Sequence, residues 1–145
     1  MAAKSLEIGS RASLQRVFSV DDVRAFAALT GDENPVHLDA AAAKVAGFDG
    51  PIVHGMLVAS LVSRLLGTVL PGPGTIYLGQ DMRFLAPARP GELLTATVEI
   101  VSRRDDKPIF ELHTWVESAQ MVLDGRAVVL LRSPMPGPLP GGGTS

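Results

Sequence analysis

The chain has 145 residues, a net charge of -2, 46% apolar and 19% charged residues, and no cysteine. That length is one domain with room for a sizeable core, and its charge balance lacks the basic face of a nucleic-acid binder. The missing thiols exclude disulfides, cysteine nucleophiles and cysteine-held metal, while so few charges imply surface buried against a partner, most simply a second copy. The opening residues carry no apolar run of a secretory signal. The longest apolar stretch, Met56 to Leu70, is broken by Ser60, Ser63, Arg64, Gly67 and Thr68 and is too short to span a bilayer. A cytoplasmic protein off the membrane is the expectation.

In chain order, Arg11 to Phe18 is a first-strand candidate. Ser19 to Asp22 reads as a capping box, because Ser19 can accept from the N3 amide while Asp22 reaches back. The helix behind it carries Val20, Val23, Phe26 and Ala27 on one face and ends near Thr30 and Gly31, a suitable C-cap. Pro35 forbids a continuous helix through Asp32 to His37. Asp39 caps a short alanine-rich helix to Ala46, and Gly47 to Pro51 is a loop by composition. An apolar helix starts at about Gly55 and stops before Pro71.

After Gly74 the period changes from helical to alternating. Thr75 to Phe84 is a strand, and Pro87 to Gly91 a turn. Leu94, Ala96, Val98 and Ile100 alternate with Thr95, Thr97 and Glu99. Arg103 to Asp106 reads as a hairpin turn, followed by a strand with Phe110, Leu112, Thr114 and Val116 on one face. Asp124-Gly125 reads as a two-residue hairpin turn, leaving Arg126 to Leu131 as the last strand. Residues 1–132 form one domain, and the Pro/Gly-rich residues 133–145 read as a disordered tail. The order implies an α+β fold, an antiparallel sheet curled around one central helix that is apolar nearly all round. Wrapping such a helix completely calls for a second sheet, hence a homodimer.

Two short segments concentrate the chemistry. In residues 30–39, TGDENPVHLD, a carboxylate (Asp32) and an imidazole (His37) sit five residues apart on a loop stiffened by Pro35. A loop can aim both at one spot, where they can hold a water, take its proton and return one. In residues 50–57, GPIVHGML, the chain runs into the first turn of the apolar helix, whose free amides and dipole can stabilise a thioester oxygen as it gains charge. Each residue also has a plainer reading. Asp32 and Asn34-Pro35 serve equally as turn residues, His37 as a satisfied histidine, and Ser63 as a helix hydroxyl bonded to its own backbone. His54 reads as structural, orienting the Gly55 turn, and His113 as an outward-facing residue without a role. Three histidines with no close pair in the sequence argue against a zinc site. No nucleophile elbow or phosphate loop is present.

These two segments, with LPGPGTIYLGQDMRF at residues 70–84, resemble the MaoC-like dehydratases, and within them the (R)-specific enoyl-CoA hydratases. The resemblance covers roughly residues 7–132. It implies a hot-dog fold, usually dimeric, that reversibly hydrates trans-2-enoyl-CoA to (R)-3-hydroxyacyl-CoA without a cofactor or metal. It places the catalytic pair at Asp32 and His37, the oxyanion-hole amide at Gly55, and supporting roles at Asn34 and Ser63. Short members of this kind often divert β-oxidation intermediates into polyhydroxyalkanoate synthesis. Helix facing and strand alternation suggest Leu66 and Val129 as acyl-chain lining. Arg64, beside Ser63, either faces the acyl channel or reaches to the surface. The competing readings are a hot-dog acyl-CoA thioesterase and a non-catalytic acyl-CoA-binding module; the paired Asp32 and His37 favour the hydratase.

Overall fold

The computed structural model describes residues 6–132, so the tail read from the sequence lies outside the described residues. Strand β1 (Arg11–Val17) leads into helix α1 (Val20–Thr30), a 3-10 turn (Pro35–His37), and helices α2 (Ala40–Val45) and α3 (Gly55–Thr68). Strands β2 (Thr75–Phe84), β3 (Leu93–Arg103), β4 (Ile109–Glu117) and β5 (Met121–Leu131) follow. The five strands form one sheet in the order β1-β3-β4-β5-β2, with each neighbouring pair antiparallel. Helix α3 packs on β1, β2, β3 and β4. This is the hot-dog arrangement.

The helix starts and stops follow their local chemistry. Ser19 Oγ accepts from the Asp22 amide at 3.0 Å and Asp22 Oδ2 accepts from the Ser19 amide at 2.8 Å, closing the capping box of α1. Gly31 ends α1 in the left-handed region at φ 79°, which glycine enters without a Cβ penalty. Asp39 caps α2 through the Ala42 amide at 3.1 Å.

The core lies between α3 and the sheet. Leu57, Val58, Leu61, Val62, Leu65 and Leu66 face inward from α3. They meet the alternate residues Leu94, Ala96, Val98 and Ile100 of β3, Phe110, Leu112 and Val116 of β4, and Leu123, Ala127 and Val129 of β5. The other side of α3 is not wrapped within one chain: Met56, Ser60, Ser63 and Arg64 are exposed. The helix is therefore amphipathic rather than apolar nearly all round.

One turn differs from the reading of the sequence. Asp124 and Gly125 lie inside β5, opposite Arg83 and Met82 of β2 and Trp115 and Thr114 of β4. The β4–β5 turn is at Ser118 to Gln120, closed by the Ser118 amide on the Gln120 carbonyl at 3.0 Å. Gly125 is required for another reason. A Cβ there would sit 2.0 Å from the Asp81 carbonyl oxygen, so the two backbones approach too closely for any side chain.

Candidate active site

The site begins where α1 ends. The Asp32 amide donates to Thr30 Oγ1 at 3.2 Å, and the Asn34 amide reaches Asp32 Oδ1 at 3.4 Å. Asn34 Oδ1 accepts from the Val36 amide at 3.2 Å and caps the 3-10 turn, with Pro35 in its first position. The spacing from Asp32 to His37 thus spans two side-chain-locked turns. Asn34 holds the 3-10 turn through the Val36 amide and does not line the cavity shared by Asp32 and His37.

The second segment runs alongside. The Ile52 amide donates to the Val36 carbonyl at 3.2 Å, and the Val53 amide to the Ala88 carbonyl at 2.8 Å. His37 Nδ1 lies 2.8 Å from the Ile52 carbonyl oxygen. A carbonyl only accepts, so Nδ1 carries the proton and Nε2 keeps its lone pair in the neutral ring. His54 Nε2 likewise donates to the Asp32 carbonyl at 3.0 Å. The His54 ring stacks under His37, with centroids 3.8 Å apart and planes 26° apart, and meets Phe26 at 4.7 Å on a tilted plane. His54 is 1% exposed, and its Nδ1 has no hydrogen-bond partner.

Asp32, His37 and Gly55 line one cavity of about 540 Å³, together with Met56, Phe84 and Val122. Gly55 is the first residue of α3, and its N-cap, His54, supplies no side-chain bond to the first turn. The Gly55 and Met56 amides find no acceptor in their own helix and are open to a ligand, whereas the Leu57 amide donates to the His54 carbonyl at 3.0 Å. A Cβ on Gly55 would lie 2.9 Å from the Phe84 ring, which explains the glycine at this wall. Ligand-capable atoms of Asp32, His37 and His54 lie within 4.8 Å of one another. His37 Nδ1 and His54 Nε2 are already committed to backbone carbonyls and the remaining His54 nitrogen is buried, so the cluster has few free ligand atoms to offer a tetrahedral metal.

The remaining sequence candidates lie elsewhere. Ser63 lines a neighbouring cavity of about 430 Å³ between the exposed stripe of α3 and β2, where Met56, Tyr77 and Met82 also contribute. Met56 borders both cavities. Leu66 and Val129 are buried in the core, 1% and 0% exposed, and line neither cavity. Helix facing and alternation identify their inward direction, which here is the core. Arg64 is exposed and borders neither cavity. His113 is held by Asp124 at 2.6 Å on the strand face away from the helix. The sequence reading did not anticipate the walls formed by Phe84 and Val122, or the contacts of His54, because strand pairing and a 22-residue separation bring them in.

A family model for the MaoC like domain matches residues 3–120. The (R)-specific enoyl-CoA hydratase of Aeromonas caviae is 50% identical over 133 residues, covering 90% of this chain and 99% of that protein. The (R)-specific enoyl-CoA hydratase of Rhodospirillum rubrum is 38% identical over 88% of this chain and 90% of its own length. Among solved structures, an A. caviae (R)-hydratase involved in PHA biosynthesis superposes with a TM-score of 0.85 at 49% identity, covering 90% of this chain and 100% of that one. An unliganded (R)-hydratase from Pseudomonas aeruginosa superposes at 0.82, with 38% identity over 97% of this chain and 94% of that one.

Proposed function

The chain belongs to the MaoC-like domain family, and we propose that its Asp32 and His37 carry the reaction of the (R)-specific enoyl-CoA hydratases. The enzyme is a hydro-lyase that reversibly hydrates trans-2-enoyl-CoA to (R)-3-hydroxyacyl-CoA. The observation that carries the site assignment is the meeting of Asp32, His37 and the first turn of α3 at Gly55 in one cavity.

Water bound between the Asp32 carboxylate and His37 Nε2 attacks C3 of the enoyl group. As the C3–O bond forms, the C2–C3 π electrons move toward the thioester, whose oxygen gains negative charge against the Gly55 amide. One such donor is worth about a hundred- to a thousand-fold in rate. The Asp32/His37 pair takes a proton from the water and C2 receives one. One water is added and no electron is transferred, so the chemistry requires no redox cofactor. The acyl chain runs past Met56 into the cavity lined by Ser63, which supports a positioning role for that hydroxyl.

We further assign a homodimer, supported by the uncovered stripe of α3 and the free edge of β2. Among the described residues no helix is long and apolar enough to cross a membrane. A CoA thioester substrate supports a cytoplasmic location. The A. caviae relative takes part in PHA biosynthesis, and supplying (R)-3-hydroxyacyl-CoA for a polyhydroxyalkanoate is the corresponding role here. Crotonyl-CoA, followed by loss of enoyl absorbance with chiral analysis of the product and a parallel free-thiol assay, tests the reading. Hydration to the (R)-alcohol is expected. Thiol release without hydration would identify a thioesterase, and no turnover a binding module.

A further inference from the structure

We infer that His54 is a positioning residue for the acid–base pair, fixing the carboxylate and the imidazole relative to each other. The inference rests on the Asp32/His37 reading above.

Three observations carry it. The Nε2–H of His54 holds the Asp32 carbonyl at 3.0 Å, so it pins the backbone that carries the carboxylate. The face of the same ring supports His37 at 3.8 Å between centroids. With His37 Nδ1 tied to the Ile52 carbonyl, that support leaves the His37 ring little freedom to swing and keeps Nε2 aimed. The third observation is the buried Nδ1 of His54, which has no partner. A residue retained only for packing would be apolar here, because an orphaned buried nitrogen costs stability. The carbonyl partner fixes the Nε2–H tautomer, since a proton moved to Nδ1 would be a buried donor with no acceptor.

His54 also serves α3. Its carbonyl accepts from the Leu57 and Val58 amides at 3.0 and 3.1 Å, while its side chain points back to Asp32. A single residue thus links the carboxylate, the imidazole and the helix start whose amides meet the thioester oxygen. Misplacing reacting groups by about 1 Å can cost about a hundred-fold in rate.

The test compares His54→Phe, which keeps a flat ring but removes the donor, with His54→Gln, which keeps a donor but removes the ring. Crotonyl-CoA hydration by His54→Phe should fall ten- to a hundred-fold in kcat, about the cost of misplaced groups, with KM little changed and the melting temperature retained or raised. His54→Gln should recover part of that loss. A His54→Phe protein with wild-type kcat, or one whose loss tracks its melting temperature, would overturn the inference. Nitrogen-15 histidine spectra of the wild-type protein test it without any variant: the Nε2–H tautomer of His54 is expected, and an Nδ1–H tautomer would refute it. If the wild-type enzyme lacked hydratase activity, the functional reading would fail, whereas the tautomer would still report on the link to Asp32.

Discussion

At the scale of single residues, the division of labour follows from which lone pairs are already committed. His37 gives Nδ1–H to the Ile52 carbonyl and retains Nε2 for a proton. Among the described residues the Asp32 carboxylate accepts a single hydrogen bond, from the Asn34 amide at 3.4 Å, which leaves it free to bind water. Asn in place of Asp32 preserves the turn and most hydrogen bonds but cannot take or return a proton. General acid–base groups typically contribute about a hundred- to ten-thousand-fold. Asp32→Asn should therefore lower kcat by that order while leaving fold and enoyl-CoA affinity intact. His37→Ala should be similarly damaging, and the double variant little worse than either, because the two act as one unit. Steady-state hydration of crotonyl-CoA checks this; Asp32→Asn activity within a few-fold of wild type would mean the aspartate only shapes the turn. That Asp32 and His37 face one cavity was legible in the sequence because both residues sit on one short loop with its own turn chemistry. His54 was legible only as the residue before Gly55, since its partners Phe26, Asp32 and His37 come from another segment.

At the scale of elements, local signals were read well where the cause is local. The Ser19/Asp22 box, the Gly31 cap and the Asp39 cap depend on residues within a turn of each other. Asp22 adds a pH signature. The Ser19 backbone hydrogen bond, with help from the Ser19 hydroxyl and the Arg16 charge, holds its carboxyl below the ordinary value of 3.8. A lowered folded-state pKa contributes stability above the unfolded value and loses it as pH falls through the folded one. Asp22→Ala should thus melt below wild type at neutral pH, with the gap closing as the solution is taken well below pH 3.8. Thermal melts of both proteins across that range measure it. Asp124-Gly125 misled because its cause is not local: the glycine answers to the Asp81 carbonyl on β2. Gly125→Ala must push two backbones apart, and overpacking of this kind costs about 1–3 kcal/mol. The urea midpoint should fall accordingly. A midpoint equal to wild type would show that β2 and β5 have slack at this point.

At the scale of the whole molecule, one chain leaves its architecture unfinished. Among the described residues strand β2 ends the sheet and pairs only with β5. Its successive residues Ile76, Tyr77 and Leu78 are 46%, 40% and 52% exposed, so both faces of this stretch present apolar surface. Burial raises the Tyr77 phenol pKa above 10.0, consistent with a ring set partly into apolar surroundings. A register shift between Tyr77 and Gly79 and the charges of Asp81 and Arg83 blunt the edge farther along, but residues 76–78 themselves carry no charge and no proline. Across the cavity stands Met56 of α3, 58% exposed. A second copy placed on this surface would cover the edge and the helix stripe together, and would close the groove that opens from the Asp32/His37 cavity past Met56. Sedimentation at micromolar concentration should therefore give a dimer. A twofold interface brings equivalent surfaces together, so Leu78→Asp would add two carboxylates to the same contact. That variant should sediment as a monomer and lose hydration activity, because its acyl groove stays open to water. A monomeric wild type, or a Leu78→Asp protein that remains an active dimer, would show that β2 and the Met56 stripe are not where the copies meet.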